Sequence, residues 1–138
     1  MSDYGFILSV IIIALAGIGL MLWSNHNMNK EADMCRLIAD SLFFFCEDYR
    51  QVHDELPVSL LVTLPDGRMI FEAVKENLGF KIQKDVSLSA DFLAINYHGS
   101  EIGYKRVSVM GLEGYHIYID WHLVHSVIRH QYHPWDGE

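Results

Sequence analysis

The chain has 138 residues, of which 51% are hydrophobic and 20% charged, and it carries a formal net charge of −8 at pH 7. That length allows one small folded domain, the composition is too apolar for a disordered chain, and the acidic balance excludes a basic surface for nucleic acid. Two cysteines are too few for a disulfide scaffold.

The hydrophobic excess is concentrated at one end. No charged residue occurs from Tyr4 to Asn25, and Phe6 to Trp23 reads FILSVIIIALAGIGLMLW. At ~1.5 Å per residue such a helix is roughly 27 Å long, close to the hydrocarbon thickness of a bilayer. The segment 6–23 is therefore expected to be a single transmembrane helix, bracketed by Tyr4 and Trp23 as interfacial aromatics, with residues 1–5 as a short leader or flank. A cleaved secretory signal is the competing reading, but only Asp3 is charged ahead of the apolar run, where such a signal needs a basic residue. Lys30 and Arg36 follow the span among Glu31 and Asp33, so the charge distribution does not fix the orientation.

Beyond the span, Cys35, Ile38, Leu42, Phe45, Tyr49, Val52 and Leu56 recur at alternating spacings of three and four, which is a heptad seam. An amphipathic helix over 24–56 is expected, continuous with the membrane helix because neither Gly nor Pro interrupts Leu20 to Leu56, and ended by Pro57. Its apolar face either packs on the C-terminal domain or joins another helix, with Cys35, Ile38, Leu42, Phe45, Tyr49 and Val52 as the interaction face. Cys35 and Cys46 lie about 16 Å apart along such a helix and cannot bridge each other.

Residues 57–138 read as a small α+β domain. Leu64-Pro65-Asp66-Gly67 is a turn, and a short helix from about Met69 to Leu78 ends at Gly79. The period then becomes two. Strands are expected near Val86 to Ala90, Leu93 to Tyr97, Tyr104 to Met110 and Tyr115 to Trp121, with turns at His98-Gly99-Ser100 and Gly111 to Gly114. The expected fold is thus α+β, with the long helix packed on an antiparallel meander of three to four strands. The segment WHLVHSVIRHQYHPW places Leu123, Val124, Val127 and Ile128 on one side of a short C-terminal helix.

Chemistry-bearing motifs are sparse. His116, His122, His125, His130 and His133 cluster near the end, and Asp120, His122 and His125 form a candidate metal set if the segment is helical; a solvated histidine face is the competing reading. There is no phosphate-binding glycine loop, no G-x-S-x-G elbow and no C-x-x-C. The sequence therefore implies no catalytic residues, no enzyme activity and no cofactor. Its implied partners are the lipid bilayer and other membrane subunits or copies of itself.

The order of parts resembles the type IV pilins and the pseudopilins of type II secretion. Gly5-Phe6 resembles the end of a pilin leader, and an apolar helix follows, continues as an amphipathic one, leaves at Leu56-Pro57 and leads to an antiparallel meander. The resemblance implies processing between Gly5 and Phe6, a helix that packs into a filament or tip complex, and a domain outside the cytoplasm. Asp3 replaces the leader's usual basic residue, and Val10 stands where the family usually carries Glu. An uncleaved single-pass accessory or scaffold subunit of a membrane complex is the alternative.

Overall fold

The computed structural model describes the backbone of residues 2–128 and 131–134, and the side chains of 7–19 and 30–128. It divides into two compact units, Met1–Met34 and Cys35–Glu138. Helix α1 spans Ser2–His53. In the first unit the described large apolar side chains are open to solvent, from Ile7 at 55% and Leu8 at 59% to Ile13 at 72% and Leu15 at 64% exposed. Among the described residues no helix is long and apolar enough to cross a membrane. Within the expected span 6–23, the side chains of Phe6 and of 20–23 lie outside the described residues.

The second unit is built around the rest of α1. Cys35, Ile38, Ala39, Leu42, Cys46 and Tyr49 are buried, and Ile38, Ala39, Leu42 and Cys46 have no exposed surface at all. The heptad spacing has thus produced a face that is covered within its own chain. Fully burying a side chain such as Ile38 or Leu42 contributes on the order of 1.5–3 kcal/mol. The helix stops at His53 because Asp54 turns into the left-handed region, with φ of 52°, while its N–H still donates to the Arg50 carbonyl at 2.8 Å. The buried Pro57 follows three residues later and cannot continue the helix.

The segment after Pro57 folds back as expected. The Gly67 N–H donates to the Leu64 carbonyl at 2.9 Å, and Thr63 bridges Met69 across the turn. Helix α2, Ile70–Glu76, buries Ile70, Ala73 and Val74, and a single unexpected turn, α3, covers Phe80–Gln83.

Six strands follow: β1 Val86–Leu88, β2 Ala94–Tyr97, β3 Ser100–Val109, β4 Leu112–Ile119, β5 His122–Ile128 and β6 Gln131–Pro134. They form one antiparallel meander in chain order. The hairpins β2–β3, β3–β4 and β4–β5 turn on His98-Gly99, Met110-Gly111 and Asp120-Trp121, and both residues of each pair have positive φ. Turns of that hand match the twist of the paired strands.

Cross-strand partners share a face, so the register puts Ile95, Ile102, Tyr104, Tyr115, Ile117, His125 and Val127 together. All seven are buried, and Tyr104 and Tyr115 meet at the centre with ring centroids 5.3 Å apart. The opposite face carries Lys105, His116 and Tyr118, none of them buried. Gly114 lies where β5 comes closest: a Cβ there would collide with the Val127 carbonyl oxygen and the Ile128 Cα.

Two expectations are overturned. The sheet has six strands, not three to four, and the C-terminal helix is absent because 122–128 is strand β5. A short apolar run fits either period, and here the β-branched Val124, Val127 and Ile128 pair with β4. Pairing also removes the exposed edge that β4 would otherwise present, since Tyr115 and Ile117 already belong to the core. The expected loop at Gly111 to Gly114 is narrower, with Met110-Gly111 as the turn and Leu112 already in β4.

Candidate functional site

Polar contacts from Asp40, Ser41 and Glu47 fasten α1 to the rest of the second unit. Asp40 lies 2.7 Å from Nε2 of His125 on β5, and the His125 ring stacks on Phe43 with centroids 4.6 Å apart. Burial lowers the His125 pKa, and the hydrogen bond to Asp40 partly opposes that shift. At the next residue, the Asn77 side-chain amide donates to Ser41 Oγ at 2.8 Å. Near the helix end Glu47 accepts from the Tyr115 hydroxyl at 2.5 Å and from Arg50 through two bonds, Nε to Oε1 at 3.1 Å and Nη2 to Oε2 at 2.6 Å. Burial, with the contact to the Glu47 carboxylate added, pushes the Tyr115 pKa far up, so the phenol remains a neutral donor. Hydrogen bonding to Glu47 likewise raises the Arg50 pKa and holds the guanidinium charged.

The described residues contain no unsatisfied buried side-chain nitrogen or oxygen. These groups therefore act as fasteners between helix and sheet. Cys46 is fully buried, and burial followed by the neighbouring Glu47 charge raises its pKa, which makes it a poor nucleophile.

The concave surface lies where α1 ends against the β3–β4 hairpin. One cavity of about 370 Å³ is lined by Arg50, Asp54, Glu55, Gly111 and Val127, among others. A second, of about 490 Å³, lies between Leu56 and Val58 on one side and Arg106, Val107 and Ser108 on the other. Both share Asp54, Glu55, Leu56 and Glu113, so they form one open cleft. The Tyr49 hydroxyl donates to Glu55 Oε1 at 3.2 Å, and the Tyr104 hydroxyl donates to the Pro57 carbonyl at 2.7 Å, which pins the cleft wall to the core. Nothing in this cleft pairs a nucleophile with a base.

The residues expected to act separate into several places. Of the helix face, Cys35, Ile38, Leu42 and Tyr49 are buried, Phe45 is half-buried, and Val52 is 57% exposed. The proposed metal set is not assembled. Asp120 accepts from the Glu101 N–H at 2.9 Å in the β4–β5 turn, His122 is exposed, and His125 is buried on Asp40. No group of three or more metal-ligating side chains occurs among the described residues. The side chains of His130 and His133 lie outside the described residues, as do those of Gly5 and Phe6, whose backbone belongs to α1.

Sequence reasoning missed two features. One is the Asp40–His125 contact, signalled only by a carboxylate beside the seam. The other is the cleft, which depends on where three separate segments end. Comparison with protein-family models, with curated proteins and with solved structures found no match.

Proposed function

We propose that this chain is a single-pass membrane-anchored interaction subunit, with α1 as its anchor and the α+β unit as the part that meets other proteins. One observation carries the reading: within 7–19 every described side chain is exposed, including Ile7, Leu8, Ile12, Ile13, Leu15 and Ile18, each between 55% and 72%. A helix apolar on all sides is stable only where lipid or other helices cover it. The sequence extends this character to Trp23 without a charge, which makes lipid the natural cover.

The interaction role rests on the outer side of α1. The seam is occupied by the chain's own sheet, yet Leu37, Phe44 and Val52 are 42%, 63% and 57% exposed. Their spacings of seven and eight place them along one outward stripe. Partner helices of a larger assembly would cover that stripe. A minor pilin-like or pseudopilin-like subunit of a filament or secretion apparatus is the finer reading, supported by the order of parts: an apolar helix, its amphipathic continuation, and an antiparallel meander. The uncleaved accessory subunit is favoured by Asp3 and Val10, which depart from the pilin pattern.

Alkaline extraction of membranes from cells making the full chain tests the anchor. The protein is expected to stay in the pellet, and Ile12→Arg with Ile13→Arg is expected to release it. Extraction of the unaltered chain into the supernatant would refute the anchor. Intact mass then separates the finer readings: a mature N-terminus at Phe6 supports the pilin-like subunit, and a retained Met1 to Gly5 supports the accessory one.

A further inference from the structure

The register of the sheet leaves part of β3 without a neighbour. β2 pairs with β3 only from Ser100 to Gly103, whereas β3 continues to Val109. The last bond of that ladder is the Tyr104 N–H to the Leu93 carbonyl, at 2.8 Å. It stops there because Asp91 Oδ1 takes the Leu93 N–H at 3.0 Å, turning the chain away. Since the backbone groups of Tyr104 point away from β4, those of Arg106 and Ser108 do so as well, being two and four residues further on. Arg106 and Ser108 oppose Tyr115 and Glu113 in β4 as pairs that exchange no backbone bonds. Among the described residues their outward N–H and C=O groups have no backbone partner.

That edge forms one wall of the cleft. The facing wall is Asp54, Glu55, Leu56 and Val58, and the gap between them has a volume of about 490 Å³. At ~3.3 Å per residue, the unpaired stretch 105–109 accepts an extended segment of about five residues. Apolar surface flanks it, with Val58 62%, Phe92 46% and Val109 40% exposed. Asp54, Glu55 and Glu113 give the cleft three carboxylates against Arg106, because Arg50 is held by Glu47.

We propose that the edge of β3 over residues 106–108 is a docking site for an extended cationic segment of a partner protein, which adds to the sheet as a strand beside β3. Backbone bonds to Arg106 and Ser108 provide the pairing. Alternate side chains of the added strand point into the cleft, where a Lys or Arg meets Asp54, Glu55 and Glu113 and an apolar residue meets Leu56 and Val58. A second copy of this chain is the poorer occupant, because it would bring the same carboxylates and a further net charge of −8. The inference does not depend on the membrane anchor.

The test uses the full chain in a non-ionic detergent and a fluorescein-labelled eight-residue peptide alternating Lys and Val, read by fluorescence polarisation. Methylating the backbone nitrogens of one alternate set in the peptide removes its donors on one edge without touching the protein. We expect methylation of the set that faces β3 to weaken binding by about tenfold or more, as loss of two backbone bonds requires, while methylation of the other set has little effect. Ser108→Pro, which deletes an N–H that β4 does not use, is expected to weaken the unmethylated peptide similarly while leaving the circular dichroism spectrum unchanged. Glu55→Gln with Glu113→Gln should weaken binding by roughly fivefold, and a Glu/Val peptide should not bind. Amide exchange at Arg106 and Ser108 should slow when the peptide binds. Equal affinity for the peptides methylated on either set and for the unmethylated one would overturn the proposal, as would absence of binding at about 1 mM. A self-associated chain that Ser108→Pro converts to monomer would overturn the choice of occupant.

Discussion

Leu42→Ala tests whether the heptad seam is spent inside the chain. Leu42 has no exposed surface and lies on the covered face of α1 between the contacts made by Asp40 to His125 and by Glu47 to Tyr115. Removing three carbons from such a site loses their transfer energy and leaves a cavity, a combined cost of roughly 2–5 kcal/mol. A total stability of about 5–15 kcal/mol makes that a large fraction. At ~4–8 °C per kcal/mol for a domain of this size, a cost of about 3 kcal/mol lowers the melting temperature by roughly 12–24 °C. Urea titration of the full chain in detergent, followed by circular dichroism, measures it. Val52→Ala, at a site 57% exposed, should shift stability by no more than about 0.5 kcal/mol. A cost below about 1 kcal/mol at Leu42, or equal costs at the two positions, would refute the burial of the seam under its own sheet.

The buried His125 makes stability depend on pH. Its folded pKa is lowered from 6.5, so the unfolded chain binds more protons below that value, and stability should fall as pH drops through and below 6.5. His125→Phe should flatten this slope in paired urea titrations, whereas Asp40→Asn, which keeps an acceptor oxygen but removes the charge that favours the protonated ring, should steepen it. Gly114→Ala should cost roughly 1–3 kcal/mol, because the obstruction is the backbone of β5. Gly103→Ala should cost less, since the obstructing group is the movable ring of Tyr118; a chemical melt in which Gly103→Ala is the costlier change would contradict the strand spacing. Cys46, fully buried with a raised pKa, should react with a thiol reagent only as fast as the domain opens, and prompt labelling under native conditions would show the helix face to be accessible.

The elements read most readily from the sequence were those with one dominant period. The seam from Cys35 to Tyr49 announced a covered helix face, and the alternation from Val86, with His98-Gly99 as a turn, announced the meander. The segment 122–128 misled because Leu123, Val124, Val127 and Ile128 satisfy a helical face. Only the presence of β4 beside it, with a two-residue turn at Asp120-Trp121, decides for a strand. The same error created the metal set, since i, i+3 neighbours would share a helix face, whereas here His122 is exposed and His125 is buried on Asp40. The cleft was illegible for a different reason. It exists because the pairing of β3 with β2 ends at Tyr104 while β3 runs on to Val109, and because Asp54 ends α1 opposite that overhang; strand offsets of this kind are tertiary facts.

Photo-crosslinking at Ile13 tests the anchor most directly. A benzophenone side chain placed there, where the native residue is 72% exposed, reports what surrounds the apolar half of α1 in native membranes. The account predicts adducts with lipid acyl chains at Ile13 and none at exposed Glu113 in the domain. Protein adducts alone at Ile13, with no lipid adduct, would contradict it.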